Sequence, residues 1–305
     1  MLESLKQHCP EAHVHVLCLS EQCHAALSFL AYPFVSLIRL GDFEVAEPEL
    51  AAVRATRSLV EYYFTITPCL PWHLLSKKKL PEVTYLDADM MFFASPQPIF
   101  DEADDASVIL TPHRFSDNLK DREVYGKYNV SWLTFRNSEQ GLACLAWYRQ
   151  ACLDWCYDRL EAGRFADQKY LDVFPEKFSG VYIMRHLGGG VAPWNISQAD
   201  IACSNNRVTV SQQPLIFYHA HGVKRIWGPF FFSGLSHYET HVRPVLRRCI
   251  FTPYLKAFTR CERRVKSIYA GQGDGILRKN NEAVSSGVVR DVYGAMRNKN
   301  LLFCF

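Results

Sequence analysis

Asp87 and Asp89 are the residues whose types and spacing could do chemistry. They stand one residue apart, directly after Val83-Thr84-Tyr85-Leu86 and just before Met90-Met91-Phe92-Phe93. Two carboxylates set this way can share a divalent cation, which takes oxygen ligands and can in turn hold a diphosphate. Their apolar flanks make the pair costly to desolvate unless something neutralises it. The plainer alternative is a solvated acidic turn at a strand end. A second cluster is Phe217-Tyr218-His219-Ala220-His221-Gly222-Val223-Lys224-Arg225-Ile226-Trp227. His219 or His221 could supply an imidazole ligand to the same metal. Gly222 would let the backbone approach a phosphate closely, and Lys224 and Arg225 could neutralise it. The alternative here is a basic surface loop with hydrogen-bonded histidines.

The elements that must position these residues read as alternating strands and helices. His13 to Leu19 has a strand pattern, and Ser20-Glu21-Gln22 caps a helix reaching about Leu30. Phe34 to Leu40 is a second strand, and Glu47 to about Leu70 is helical, in one or two pieces, with Pro71 opening a further short turn. The Asp-x-Asp strand spans about 82–87, and Ser107 to Thr111 forms another. Such alternation predicts an α/β fold with a mostly parallel sheet covered on both faces, whose ligands bind beyond the carboxyl ends of the strands. After residue 111 the pattern loosens. A strand is expected at 127–135, a long helix from Ser138 to about Glu161, a short helix from Asp167, and strands near 181–184, 208–210 and 215–218.

A chain of 305 residues suffices for one large domain or two modest ones. The net charge of +3 is unevenly spread: from Arg243 onward there are 13 Lys and Arg against 4 Asp and Glu, leaving 21 against 27 in the first 242 residues. The expected division is therefore residues 1–232 as the body and 233–305 as a basic, helical extension. Its clearest helix is Pro253 to Ile268, followed by a Gly271-Gln272-Gly273-Asp274-Gly275 loop. The extension sets Arg247, Arg248, Lys256, Arg260, Arg263, Arg264 and Lys266 among Phe251, Tyr254, Leu255 and Phe258, a composition suited to an anionic membrane surface or to packing on the body. No aromatic-basic module for nucleic acid is seen. The eleven cysteines are odd in number and form no Cys-x-x-Cys pair. Cys152 and Cys156 read as packing residues. The opening Met1 to His8 is amphipathic and charged, unlike a secretory leader, and no apolar run approaches the ~20 residues a bilayer requires. The expectation is a cytoplasmic protein with reduced thiols, peripheral at most to the inner face of the cell membrane.

Taken in order, these motifs resemble glycosyltransferases of the GT-A fold, in particular the retaining family of glycogenin and the bacterial lipopolysaccharide galactosyltransferases. Those enzymes carry a Tyr-Leu-Asp-x-Asp strand end and a late His-x-x-Gly-x-x-Lys-Pro-Trp segment. His219, Gly222 and Trp227 fall at the matching offsets, Arg225 stands in the lysine position with Lys224 one residue early, and Ile226 replaces the proline. Asn129, in Tyr128-Asn129-Val130-Ser131, resembles the family's donor-sugar asparagine, and Asp167-Gln168 its Asp-Gln element. Asp167 also suits a helix N-cap. Arg57, thirty residues ahead of the aspartates, resembles the arginine that approaches the nucleotide-sugar, although Glu61 stands at ion-pair spacing from it. Phe165 to Leu171 and Ala192-Pro193-Trp194-Asn195 further resemble a bacterial branch of such enzymes.

The resemblance implies metal-dependent transfer of a sugar from a nucleotide-diphosphate sugar, most simply a UDP-sugar, to a glycan or lipid-linked acceptor. It implies that Asp87, Asp89 and His219 hold Mn²⁺ or Mg²⁺, that Arg57, Asp87, Asn129, Gly222, Lys224 and Arg225 contact the donor, and that Asp167 and Gln168 act at the reacting carbon. One departure accompanies it. The family fold begins with a central strand, whereas this sequence opens inside what resembles the following helix. The expectation is an N-terminally truncated GT-A domain with two exposed strand edges, either active or a nucleotide- or partner-binding protein of the same fold.

Overall fold

A computed structural model describes residues 1–205, 207–269 and 286–304. The chain is mixed α/β. Its strands are β1 (Val14–Cys18), β2 (Val35–Arg39), β3 (Glu82–Leu86), β4 (Met90–Phe92), β5 (Val108–Pro112), β6 (Tyr128–Arg136), β7 (Val181–Ile183), β8 (Ile201–Ser204), β9 (Arg207–Val210), β10 (Gln213–Pro214), β11 (Phe217–His219), β12 (Lys224–Trp227), β13 (Phe230–Phe232) and β14 (Leu301–Phe303). The α-helices are α1 (Leu2–His8), α2 (Glu21–Leu30), α3 (Leu40–Ala46), α4 (Pro48–Val53), α5 (Leu59–Trp72), α6 (Gln97–Ala103), α7 (Glu139–Asp154), α8 (Phe174–Lys177), α9 (Pro244–Leu246), α10 (Thr252–Tyr269) and α11 (Ser286–Arg297). The Gly271-Gln272-Gly273-Asp274-Gly275 segment lies outside the described residues.

The main sheet has the order β3-β6-β5-β7. It is mixed: β6 runs antiparallel to both β3 and β5, and β7 runs parallel to β5. The mostly parallel sheet expected from the alternation holds for the pairs β5–β7 and β1–β2, while the other described ladders are antiparallel. The reason is local. The connection between β5 and β6, residues 113–127, holds a 3₁₀ helix, Asp117–Tyr125, and no α-helix, whereas a parallel return usually crosses over through an α-helix.

Helix starts follow their caps. The Ser20 hydroxyl accepts from Cys23 N, and Ser138 accepts from Gly141 N. Ser58 and Glu61 close a reciprocal capping box at the head of α5. The helix α5 passes through Pro68 and Pro71 instead of stopping before the latter. By contrast α7 ends at Asp154, seven residues short of the expected Glu161, because Trp155 turns to extended backbone. Gly141 is required where α7 meets β6: a Cβ there would lie 2.2 Å from the Arg136 carbonyl oxygen.

One core sits between β5, β6 and α7, and contains Leu110, Leu133, Phe135, Tyr148, Cys152 and Cys156. The two cysteines therefore pack, and all eleven cysteines are free thiols. A second core joins Phe231 to Leu246, Phe251 and Leu255, and β14 pairs with β13. The boundary expected at 232/233 thus runs through a shared core, because the apolar face of the basic segment is turned onto the body. Arg260 and Arg264 of α10 both engage Glu3 of α1. No described helix is long and apolar enough to cross a membrane.

Neither β1 nor β3 has a second strand partner among the described residues. A cleft of about 920 Å³ is lined by residues of both strands.

Candidate metal centre

Asp87 and Asp89 sit where the chain leaves β3 and enters β4. Asp87 N donates to the Ser131 carbonyl at 3.2 Å, so the first turn after the strand is still tied to β6. The strand β11 then runs antiparallel to β4, with His219 opposite Met90, and Ala220 N donates to the Asp89 carbonyl at 3.0 Å. This register places the two motifs side by side. It is held from below by aromatic packing. Trp132 of β6 stacks on Phe217 of β11 with centroids 5.3 Å apart and planes 3° from parallel, and Phe92 of β4 sits 5.9 Å from Phe217. On the other side His219 N donates to the Val191 carbonyl at 2.9 Å, and this follows the Gly188-Gly189-Gly190 turn. A Cβ at Gly188 would meet the Pro214 carbonyl oxygen at 1.8 Å. The triple glycine therefore serves close packing beside β11.

The resulting geometry is compact. His219 Nε2 lies 3.0 Å from Asp89 Oδ1 and 3.7 Å from Asp87 Oδ2. One ligand atom from each of Asp89, His219 and His221 falls within 4.8 Å of the others, so both histidines reach the site. Tyr85 donates its hydroxyl to Asp87 Oδ1 at 3.0 Å. Trp194 stands edge-on to both imidazoles, at 5.3 Å from His219 and 5.9 Å from His221.

The charges of the cluster are coupled. Burial pushes the Asp87 carboxyl up, and neighbouring Asp89 adds to this while the His219 charge opposes it. Burial pushes Asp89 up as well, but the hydrogen bond and charge of His219 outweigh it and hold the carboxyl below its ordinary value. For His219 burial favours the neutral ring, and the two aspartates more than reverse it, leaving the imidazole above its ordinary value. Burial holds His221 below its own, and the His219 charge adds to this. A mixed imidazole and carboxylate donor set fits Mn²⁺ better than Mg²⁺, which favours oxygen ligands alone.

Asp167 is buried, at 2% exposure, and its Oδ2 has no hydrogen-bond partner among the described residues. Burial pushes its carboxyl up to about 7, the Thr67 hydroxyl pulls the other way, and the charge of Asp87 reinforces the rise. Asp167 is thus electrostatically part of the site, although its side chain makes no cap to the following 3₁₀ turn. Next to it, Gln168 Oε1 accepts from Asn129 Nδ2 at 3.2 Å, and Asn129 Nδ2 also contacts His113 Nε2 at 3.3 Å. Burial pushes the His113 imidazole down to about 3, so it is neutral at ordinary pH.

Four expected donor-binding residues have other neighbours. Arg57 donates to the Tyr157 hydroxyl at 2.6 Å and the Leu153 carbonyl at 3.1 Å, and its guanidinium lies 4.1 Å from the Tyr157 ring centre. It pairs with neither Glu61, which caps α5, nor the aspartates. Arg225 is committed to Glu262 of α10 at 2.6 Å and stacks 4.4 Å from the Phe231 ring centre. Lys224 is exposed, with its ammonium 5.8 Å from the Phe232 ring centre. Gly222 adopts φ +78, and a Cβ there would press on Gly234 Cα at 3.3 Å, so it allows two glycine turns to pack. Sequence reasoning missed His113, Trp194 and Tyr85 as members of the site. His113 could have been found by the logic applied to Asp87, because it directly follows a buried strand.

Two Bacillus subtilis (strain 168) proteins are similar to this chain. One is the uncharacterized protein YfnF, 30% identical over 233 residues that span 73% of this chain and 76% of YfnF. The other is the uncharacterized protein YfnD, 29% identical over 283 residues that span 92% of this chain and 90% of YfnD. The chain belongs to the family that these proteins represent. No family model matches it.

Proposed function

We propose that this protein is a metal-dependent glycosyltransferase of the GT-A type that uses a nucleotide-diphosphate sugar, UDP-linked in the simplest case. The observation that carries the proposal is the meeting of Asp87 and Asp89 at a strand end with His219, which approaches Asp89 to 3.0 Å from a strand more than a hundred residues later. Asp87, Asp89, His219 and His221 would hold the divalent cation, Mn²⁺ ahead of Mg²⁺. When bound, the cation supplies positive charge against the departing diphosphate. Lys224 is the exposed cation on the same segment and would add to that charge. Asn129 and Gln168, hydrogen-bonded to each other, would orient the sugar.

In the transfer, the bond from the anomeric carbon to the diphosphate breaks and a bond to the acceptor oxygen forms. In a retaining reaction the departing phosphate takes the acceptor proton. In an inverting one Asp167 is the base, and a carboxyl held near 7 has the proton affinity that such a step requires. The direct test is hydrolysis or transfer of a radiolabelled UDP-sugar with Mn²⁺. Asp89→Ala should abolish turnover, and equal metal-dependent turnover by both proteins would overturn the assignment.

A second reading is nucleotide or partner binding without turnover. It is favoured by Arg57 and Arg225 being engaged elsewhere, and by the open cleft beside β3. Thermal shift with UDP and Mn²⁺ in the absence of any hydrolysis would select it.

A further inference from the structure

The basic extension carries its cations on two unlike surfaces. On α10, Arg260 and Arg264 pair with Glu3 of α1, and Lys266 pairs with Glu262. Beside α9 and β14 the chain instead closes round a cavity of about 860 Å³. Arg243, Arg247, Arg248, Lys299 and His241 line it, and no Asp or Glu is among the described lining residues. None of the four permanent cations has a carboxylate partner among the described residues. Neutral groups hold them instead. Arg243 donates to the Ile196 and Ala199 carbonyls at 3.0 and 3.2 Å. Arg247 donates to the Leu301 carbonyl at 2.9 Å and lies 5.1 Å from the Phe303 ring centre. Arg247 N also donates to the Arg243 carbonyl at 3.0 Å, so one helical turn sets the two arginines on one face. Val242 N donates to the Lys299 carbonyl at 3.0 Å, which brings Lys299 to the same cavity. These contacts fix the side chains and leave their charge uncancelled.

Between the cations the walls are hydrocarbon: Val242, Pro244, Met296, Leu301 and Phe303. Met296 leaves 57% of its surface open to solvent. The Thr252 hydroxyl is the only side-chain oxygen among the described lining residues. The cavity thus offers donors and apolar surface, and its matching ligand carries acceptors and hydrocarbon. A peptide brings amide donors and a glycan brings hydroxyl donors, and both would leave them without side-chain acceptors here. A phosphate monoester carries between about −1.5 and −2 charge at neutral pH on acceptor oxygens, and arginine forks match it. The volume is that of a pocket for one small molecule. A concave wall of this kind encloses a single molecule and does not conform to the plane of a bilayer.

We propose that this cavity binds the phosphate ester of a hydrocarbon alcohol, taken up as a single amphiphile. Arg243, Arg247, Arg248 and Lys299 hold the phosphate, and Met296, Leu301 and Phe303 cover the adjoining part of the chain. The site shares no residue with the metal centre and needs no metal, because its own side chains supply the positive charge.

The test is calorimetry at low ionic strength with three monomeric probes: geranyl phosphate, geraniol and inorganic phosphate. It is run without Mn²⁺ or nucleotide, so its outcome is independent of the metal centre. Geranyl phosphate should bind the unmodified protein about tenfold or more tightly than either of the other two. Arg248→Gln with Lys299→Gln changes two exposed side chains, and should weaken that binding about tenfold or more with the melting temperature unchanged. Lys256→Gln with Arg263→Gln removes the same charge from exposed positions of α10 outside the cavity, and should leave affinity within about twofold. Met296→Ser should weaken geranyl phosphate and leave inorganic phosphate as it was. The proposal is overturned if inorganic phosphate binds the unmodified protein as tightly as geranyl phosphate does, or if the two double variants weaken binding alike. It is also overturned if an acidic peptide, Glu-Asp-Phe-Glu-Asp, binds more tightly than geranyl phosphate. Binding to phosphatidylglycerol vesicles with none to geranyl phosphate would replace it with a surface patch for bilayers.

Discussion

His219 Nε2 sits 3.0 Å from Asp89 Oδ1, and this single contact joins two motifs 130 positions apart. It forms because β11 pairs with β4, and β4 begins directly after Asp89. The aspartates are therefore held from two sides: by β3 through the main sheet, and by β11 through a short ladder. A site built on two strands keeps its ligand atoms better placed than one carried on a loop.

Removal of either partner should cost metal affinity. His219→Ala and Asp89→Ala should each weaken Mn²⁺ binding, measured by calorimetry, by at least the 10–100-fold that loss of an outer-shell partner costs. Mn²⁺ should bind more tightly than Mg²⁺ to the unmodified protein. The proton competes with the metal at His219, whose pKa is raised above 6.5. Affinity should therefore decline as pH falls through that raised value. In the metal-free protein the His219 charge contributes stability that is full below 6.5 and lost as pH rises through the folded-state value. Affinity that is flat from pH 8 to 6 would contradict this account.

Asp167 provides a separate pH signature. Its folded-state value of about 7 lies above the ordinary 3.8, so the folded protein holds this proton more tightly than the unfolded chain. Its contribution to stability is greatest below 3.8 and is lost progressively as pH rises to about 7. The span corresponds to roughly 4 kcal/mol at most. Asp167→Asn should remove this slope, so denaturant midpoints of the two proteins should converge at low pH, with the variant the more stable near pH 8. A constant difference across pH 4–8 would remove Asp167 from the titrating groups.

The strand-end cluster was legible in the sequence because each half of it is local: one strand followed by Asp87 and Asp89, and a later strand ending in His219. The partners of the basic residues were not. Arg57 meets Tyr157 and Arg225 meets Glu262, contacts made across elements whose packing no spacing rule specifies. Strand direction was likewise hidden. The alternation in β6 is the same whether its neighbours run parallel or antiparallel, and only the absence of an α-helix between β5 and β6 decides it.

The support beneath the centre is testable apart from its ligands. Trp132 stacks on Phe217 and contacts no carboxylate. Trp132→Ala should destabilise the fold by about 3–5 kcal/mol in urea, and under folding conditions it should also lower Mn²⁺ affinity by letting β11 drift from Asp89. Trp132→Phe should recover most of both. Weakened stability with unchanged metal affinity would show that the stack does not position His219.

Lys224 and Arg225 are neighbours with opposite expected phenotypes. Arg225 is tied to Glu262 at 2.6 Å and shielded by Phe231, so it fastens β12 to α10. Arg225→Ala and Glu262→Ala should each lower the melting temperature, and the double variant should cost less than their sum by about 1 kcal/mol. Neither should change the concentration dependence on UDP-sugar. Lys224 has no such anchor, so Lys224→Ala should leave the melt unchanged and weaken UDP binding about tenfold, with the loss shrinking in high salt. The reverse pattern, with UDP affinity following Arg225, would mean that the Glu262 pair opens to admit the diphosphate and that the arginine position of the motif is functional after all.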